Sequence, residues 1–123
     1  MKSLTVSASL ALLLACSSPT GITSGELAVR AAPPGLELTN HSSAPVYSFA
    51  IDRGAAAYTD WAPCTNPTAC SAIGVGATSS VPYAQIAGYS TASKEAIVYW
   101  WHLVADSKEG YRIDSLRAVV TTL

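Results

Sequence analysis

Residues 96–105 read AIVYWWHLVA, and no other stretch restricts the fold of this chain as tightly. β-Branched and aromatic side chains favour an extended, pleated backbone. On such a backbone Val98, Trp100, His102 and Val104 point one way and Ile97, Tyr99, Trp101 and Leu103 the other. Both faces are largely apolar, so the segment is expected as an interior strand covered on two sides. Its ten residues, at about 3.3 Å each, would reach roughly 33 Å. The polar run Asp106-Ser107-Lys108-Glu109-Gly110 then makes a hairpin loop, and residues 111–122 return as the last strand. Within the central strand His102 is the only polar side chain, which marks the Trp100 face as outward and places Trp101 inward, toward a core.

The preceding residues carry the same period of two, broken at short intervals by turn formers. Leu27, Val29 and Ala31 alternate with Glu26, Ala28 and Arg30, and Pro33-Pro34-Gly35 ends that strand because proline cannot donate to a ladder. A second strand spans residues 36–39 and closes at Asn40-His41-Ser42-Ser43; a third runs from Val46 to Ile51. Residues 55–61 suit either a helical turn, through their alanines, or a strand, through Tyr58, Thr59 and Trp61; the strand is favoured. Residues 63–70 form a loop kept irregular by Pro63 and Pro67. Residues 78–83 read as a strand at a sheet edge, because Pro82 sits in it, and residues 84–89 as an irregular crossing or a single helical turn.

These elements add up to an all-β domain over residues 26–123: a single immunoglobulin-like or fibronectin type III-like β-sandwich of about six to seven strands. A small β-barrel is the alternative. The Cys…Trp…Cys spacing of true immunoglobulin domains is missing, so the likeness is architectural and carries no function with it. Half of the residues are apolar and only 12% are charged, enough to build a core and too little charge for disorder. The formal net charge is −1, and the basic residues are dispersed, which leaves no patch for nucleic acid.

The first residues have a different character. Lys2 precedes an apolar run over residues 4–14, the layout of an export signal, and at about eleven residues the run falls short of the roughly 20 that cross a hydrocarbon core. Its end, Leu13-Leu14-Ala15-Cys16, resembles the lipobox of bacterial lipoproteins. The resemblance implies that residues 1–15 are removed and that Cys16 becomes a diacylglycerol-bearing N-terminus. It also implies a location in the bacterial cell envelope, periplasmic or outer-membrane, with the membrane as a partner through the acyl chains. An ordinary cleaved secretory signal is the alternative. Residues 16–25 are small, polar and largely uncharged, and read as a flexible tether. With Cys16 assigned to lipid, Cys64 and Cys70 remain as a pair, expected to join as a structural disulfide in an oxidising compartment.

Few residues point to chemistry. The only histidines are His41 and His102, neither spaced from a carboxylate as a catalytic triad requires, and the only methionine is Met1. No metal, no cofactor and no enzymatic activity are expected. Asn40-His41-Ser42 matches a glycosylation acceptor, which a bacterial envelope gives little reason to use. Aromatic side chains are what is left, with Trp61, Trp100 and the neighbouring His102 as candidate ligand-binding residues. The leading expectation is a non-enzymatic interaction or accessory module whose partner is an envelope protein or glycan. A carbohydrate- or peptidoglycan-binding module using exposed aromatics is the second.

Overall fold

The computed structural model describes residues 21–24, 26–108 and 110–123. Cys16, with the expected export signal and the first part of the expected tether, lies outside them. The described residues form eight strands: β1 (Gly21–Ser24), β2 (Leu27–Ala32), β3 (Gly35–Asn40), β4 (Val46–Asp52), β5 (Ala72–Ile73), β6 (Thr78–Pro82), β7 (Glu95–Asp106) and β8 (Gly110–Thr122). They make two antiparallel sheets, ordered β1-β2-β3-β6 and β5-β4-β7-β8. Strands β2, β3 and β6 occupy the places of A, B and E in an immunoglobulin-like sandwich. Strands β4, β7 and β8 occupy those of C, F and G, with β5 added beside C. Both sheets end in edge strands, so the chain is a sandwich and the barrel alternative is not adopted.

The alternating pattern explains most of this. Leu27 and Val29 of β2 and Leu36 and Leu38 of β3 share one face and are fully buried. Opposite them, the second sheet contributes Val46, Ala96, Val98, Trp100 and Val119, with Ile73 and Ile86 completing the core. Strand β7 lies between β4 and β8, the interior position expected of it, and β6 with Pro82 lies at an edge. Residues 55–61 depart from expectation: Ala56–Tyr58 is a single 3-10 turn and the residues after it are irregular, while the free edge of β4 is paired with β5 and Ala87 instead. The second 3-10 turn, Tyr83–Gln85, falls where a helical turn was one of two readings. Gly21–Ser24, read as the end of the tether, pairs with β2.

Two devices shape the second sheet. The β7–β8 ladder pairs Trp100 with Arg117 and then His102 with Asp114, so that two β8 residues, Ser115 and Leu116, stand opposite Trp101. This is a β-bulge, and Ser115 takes the left-handed φ of 58° that it requires. On the other side of β4, Ala87 bridges the strand beyond β5: its N–H donates to the Ala50 carbonyl (3.1 Å) and its carbonyl accepts from Asp52 N–H (2.8 Å). Gly88 next to it has φ +74°, and a Cβ there would meet that of Ala55 at 2.5 Å, so only glycine lets this segment approach.

The end of β3 is tied across the sandwich by Asn40, a buried polar residue. Its side-chain Nδ2 donates to the carbonyls of Ala44 (2.8 Å) and Ile73 (2.9 Å), and its Oδ1 accepts from Ser42 N–H (2.8 Å) and Ser42 Oγ (2.6 Å). Asn40 thus joins one sheet to β5 of the other. Its glycosylation is excluded by burial, since the amide nitrogen that would carry a sugar is fully enclosed.

Candidate functional site

The outer face of the β5-β4-β7-β8 sheet, the one turned away from the core, is where aromatic side chains gather. Tyr47, Phe49 and Ile51 of β4 lie beside Trp101, Tyr99 and Ile97 of β7 in register. An apolar sheet face of this kind needs a cover. The β4–β5 connection, residues 53–71, supplies it, and it exceeds the roughly 12–15 residues beyond which irregular connections are uncommon.

Two contacts hold the connection to the sheet, and a disulfide staples its own turn. The Trp61 ring stacks on Phe49, with centroids 4.6 Å apart and planes 17° from parallel, and packs against Tyr99 at 4.8 Å and Trp101 at 6.1 Å. The Trp101 indole N–H donates to the Cys64 carbonyl at 3.0 Å. Cys64 and Cys70 are joined as expected, with Cα atoms 6.0 Å apart. Within the stapled turn Asn66 is the organiser: its Oδ1 accepts from Thr68 N–H and Oγ1, and its carbonyl accepts from Ala69 and Cys70 N–H. Tyr47 and Trp101 are buried beneath this cover although neither belongs to the inter-sheet core. The domain therefore has a second, smaller apolar cluster outside its sandwich.

Of the three candidates Trp100 and His102 meet, while Trp61 lies apart from them on the other face of the sheet. Trp61 belongs to the outer cluster, half-buried. Trp100 is on the inner face, fully buried in the core, so the expectation that Trp101 points inward is reversed. The physical reason lies in the neighbours. Trp100 shares its face with small Ala96 and Val98, which leave room for an indole between two sheets, whereas Trp101 lies among Tyr47, Phe49 and Tyr99, too bulky a set for that space. Trp100 is accordingly corrected as a ligand-binding residue: its ring contacts the core, the Arg117 guanidinium lies 5.0 Å from its centroid, and its indole N–H is buried without a partner. His102 does share the Trp100 face, but at the rim of the sandwich. Its Nδ1 is 2.9 Å from the Pro45 carbonyl, its Nε2 is 3.2 Å from Glu26 Oε1, and its ring meets Trp100 edge-on at 5.7 Å. A polar side chain in an apolar strand marked the end of the core here, not its solvent face.

Tyr47, Phe49, Tyr99 and Trp101 were not singled out from sequence as one cluster, although β4 carries an aromatic at every second position from Tyr47 to Phe49 and β7 from Tyr99 to Trp101. Tyr58 was missed as well; it stands at the 3-10 turn of the covering connection with 89% of its surface exposed. Among the described residues, the two groups with displaced pKa values lie elsewhere. A hydrogen bond from Ser93, opposed by burial and supported by Ala55 and Gly54 N–H, holds the Asp52 carboxyl below its ordinary range; burial, and then Tyr89, push the Tyr83 phenol up. Among the described residues no three His, Cys, Asp or Glu side chains converge, and no helix is long and apolar enough to cross a membrane.

Comparison of the chain with protein families, with curated proteins and with solved structures finds no match.

Proposed function

We propose that this protein is a lipid-anchored, exported, non-enzymatic interaction module of a bacterial cell envelope, and that the stapled connection over the outer sheet face is its contact surface. The observation that carries the reading is that residues 53–71 are held to the sheet at Trp61 and Cys64 and stapled internally by the disulfide. A loop held this firmly presents its exposed residues, Tyr58, Thr65, Asn66 and Thr68, in one arrangement, and a preorganised surface loses less entropy on binding. A disulfide doing this work suits an oxidising compartment. The lipobox-like Leu13-Leu14-Ala15-Cys16 supports the anchor. Carbohydrate recognition by exposed aromatics has less support, since Trp100 is buried and one face of the Trp61 ring is occupied by Phe49.

The test uses the full chain in a bacterial host. Metabolic labelling with a radioactive fatty acid is expected to mark the protein in the membrane fraction, and Cys16→Ser to abolish the label. A photo-crosslinking residue placed at Tyr58 or Thr65 should give a discrete adduct in intact cells, and one at Arg112 on β8 should not. Unlabelled protein recovered in the culture medium, with no position-dependent adduct, would overturn the proposal.

A further inference from the structure

Strand β8 keeps its charged and its outer apolar side chains on opposite faces, and the bulge makes this possible. Before the bulge Tyr111 and Ile113 pair with Ala105 and Leu103, and so share the outer face with Trp101. After it Ala118 and Val120 pair with Tyr99 and Ile97, on that same face. The first two positions are odd-numbered and the last two even-numbered, so an unbroken strand would turn one pair inward. Ser115 and Leu116, both opposite Trp101, restore the phase. Arg112, Asp114 and Arg117 pair with Val104, His102 and Trp100 and fall on the other face. The outer row from Tyr111 to Val120 therefore carries no charge. The covering connection does not enclose it: Tyr111, Leu116 and Val120 are 44%, 47% and 37% exposed.

What this row meets follows from where the N-terminal segment enters the sandwich. Gly21–Ser24 is strand β1, at the edge of its sheet, and it lies beside β8, the edge of the other. Cys16 precedes Gly21 by five residues, a reach of at most about 18 Å. The headgroup layer of one leaflet takes up about 5–8 Å of that reach. A domain tied to lipid at Cys16 is thus held against the bilayer by its β1–β8 side. From this geometry we infer that the uncharged row of β8 is the surface on which the domain rests on the membrane, with Tyr111, Leu116 and Val120 in the headgroup boundary. The inference rests on the proposed lipid anchor and adds to it a lipid-contacting surface.

One other surface lies within the same reach. Glu26, just before β2, bonds His102 at one end of the sandwich, so β1 begins at the opposite end, where Gly21 pairs with Arg30. That end is charged: Arg53 pairs with Glu95, and Asp52 and Lys94 line the same hollow. Pressing those groups into the boundary costs hydration, whereas the β8 row gains by leaving water. Tyr111 suits the boundary further, with an apolar ring and a polar tip. A second copy or a free partner protein would have to displace a lipid surface that a covalent link keeps beside the row. Resting on this side also leaves the covering connection, which lies over β4 and β7, available to a partner.

The experiment uses the full chain expressed in a bacterial host, purified from the membrane fraction and returned to vesicles of equal parts phosphatidylethanolamine and phosphatidylglycerol. Intact mass first reports whether Cys16 carries lipid. A benzophenone amino acid at Tyr111, Leu116 or Val120 is then expected to give phospholipid adducts on irradiation, several-fold above one at Val75. Val75 is exposed between β5 and β6, at the side of the sandwich opposite β1 and β8. Leu116→Glu with Val120→Glu should cut the adduct from position 111 several-fold, with the lipid at Cys16 and the β-sheet circular dichroism retained. Leu116→Ser with Val120→Thr, a milder loss of apolar surface, serves in its place should the glutamates prevent folding. The inference is overturned by lipidated protein whose β8 positions react with phospholipid no more than Val75 does, by an adduct that the substitutions leave unchanged, or by adducts to a second copy in place of lipid. Protein without lipid at Cys16 removes the anchor and this inference together, whereas lipidated protein with a silent β8 removes this inference alone, so the two failures can be told apart.

Discussion

Trp101 donates its indole N–H to the carbonyl of Cys64, 3.0 Å away and 37 residues earlier in the chain, while its neighbour Trp100 buries an indole N–H with no acceptor at all. The two side chains occupy opposite faces of one strand and both are enclosed, so truncation of either to alanine is expected to cost about 3–5 kcal/mol. Replacement by phenylalanine separates them. Trp101→Phe loses a hydrogen bond and leaves the Cys64 carbonyl without its donor, whereas Trp100→Phe removes a donor that had no partner. Denaturant melts should therefore show Trp101→Phe the more damaging of the two by about 1 kcal/mol. Trp101→Phe should also expose the connection to protease in the folded state, a change Trp100→Phe does not produce. Equal melts and equal cleavage would mean that the Trp101 bond holds nothing.

The disulfide closes a short loop, and the chain-entropy argument assigns such a loop about 2–2.5 kcal/mol. Cys64→Ser with Cys70→Ser is expected to lower stability by that amount and to redden the emission of Trp61 and Trp101 as the cover loosens. The inter-sheet core has no share in this loop. Circular dichroism of the double variant should consequently retain the β-sheet signal, and its loss would show that the staple holds the sandwich itself.

Periodicity made the large strands legible because each buries a face, and a buried face forces alternation. Leu27 and Val29, and Leu36 and Leu38, declare themselves this way. Strand β5 does not, since two residues, Ala72 and Ile73, are too few to show a period and are specified by what β4 leaves unpaired. Residues 55–61 have the composition of a strand but pair with none, so tertiary context overrides propensity there. The direction of Trp100 was not legible for a related reason. Alternation says that Trp100 and Trp101 face opposite ways, but which way is inward depends on the volume available between sheets, and that is set by Ala96 and by residues of the other sheet. The disulfide was legible from counting cysteines. The aromatic cluster was not, because it joins β4, β7 and the loop tryptophan across separations that only register reveals.

Asn40 makes four side-chain hydrogen bonds in a site without water access, so its loss should be felt well beyond its volume. Asn40→Ala removes the donor to the Ile73 carbonyl and the acceptor of Ser42 N–H, while Ser42 Oγ still reaches the Ala44 carbonyl at 2.8 Å, and a cost of about 1–3 kcal/mol is expected in urea melts. Asn40→Asp is the sharper test. The carboxylate keeps the two bonds from Ser42 but turns an oxygen toward the Ala44 and Ile73 carbonyls, where only a donor fits. Protonation restores one donor, so this variant should gain stability relative to the parent as pH falls, the reverse of what a paired carboxylate does. A variant as stable as the parent at neutral pH would remove Asn40 from its bridging role.

Asp52 should behave in the opposite sense. At the end of β4 its Oδ2 accepts from Ala55 N–H at 2.9 Å, and the Ser93 hydroxyl contributes the largest of the influences that hold its carboxyl below the ordinary value. A carboxyl depressed in the folded state favours folding above its unfolded value, about 3.9, and that favour is lost as pH falls through the lower folded value. Asp52 is solvated, so the effect is modest and is read from a slope, not from a single melt. Melting temperatures of the parent between pH 6 and pH 2 should decline on the acid side, and Asp52→Asn should reduce the steepness of that decline while melting lower than the parent at neutral pH. Ser93→Ala should do the same to a smaller degree, because it removes the leading cause and leaves the backbone donors of Gly54 and Ala55 in place. An unchanged acid slope in both variants would show that the Asp52 turn contributes nothing to the proton linkage of folding.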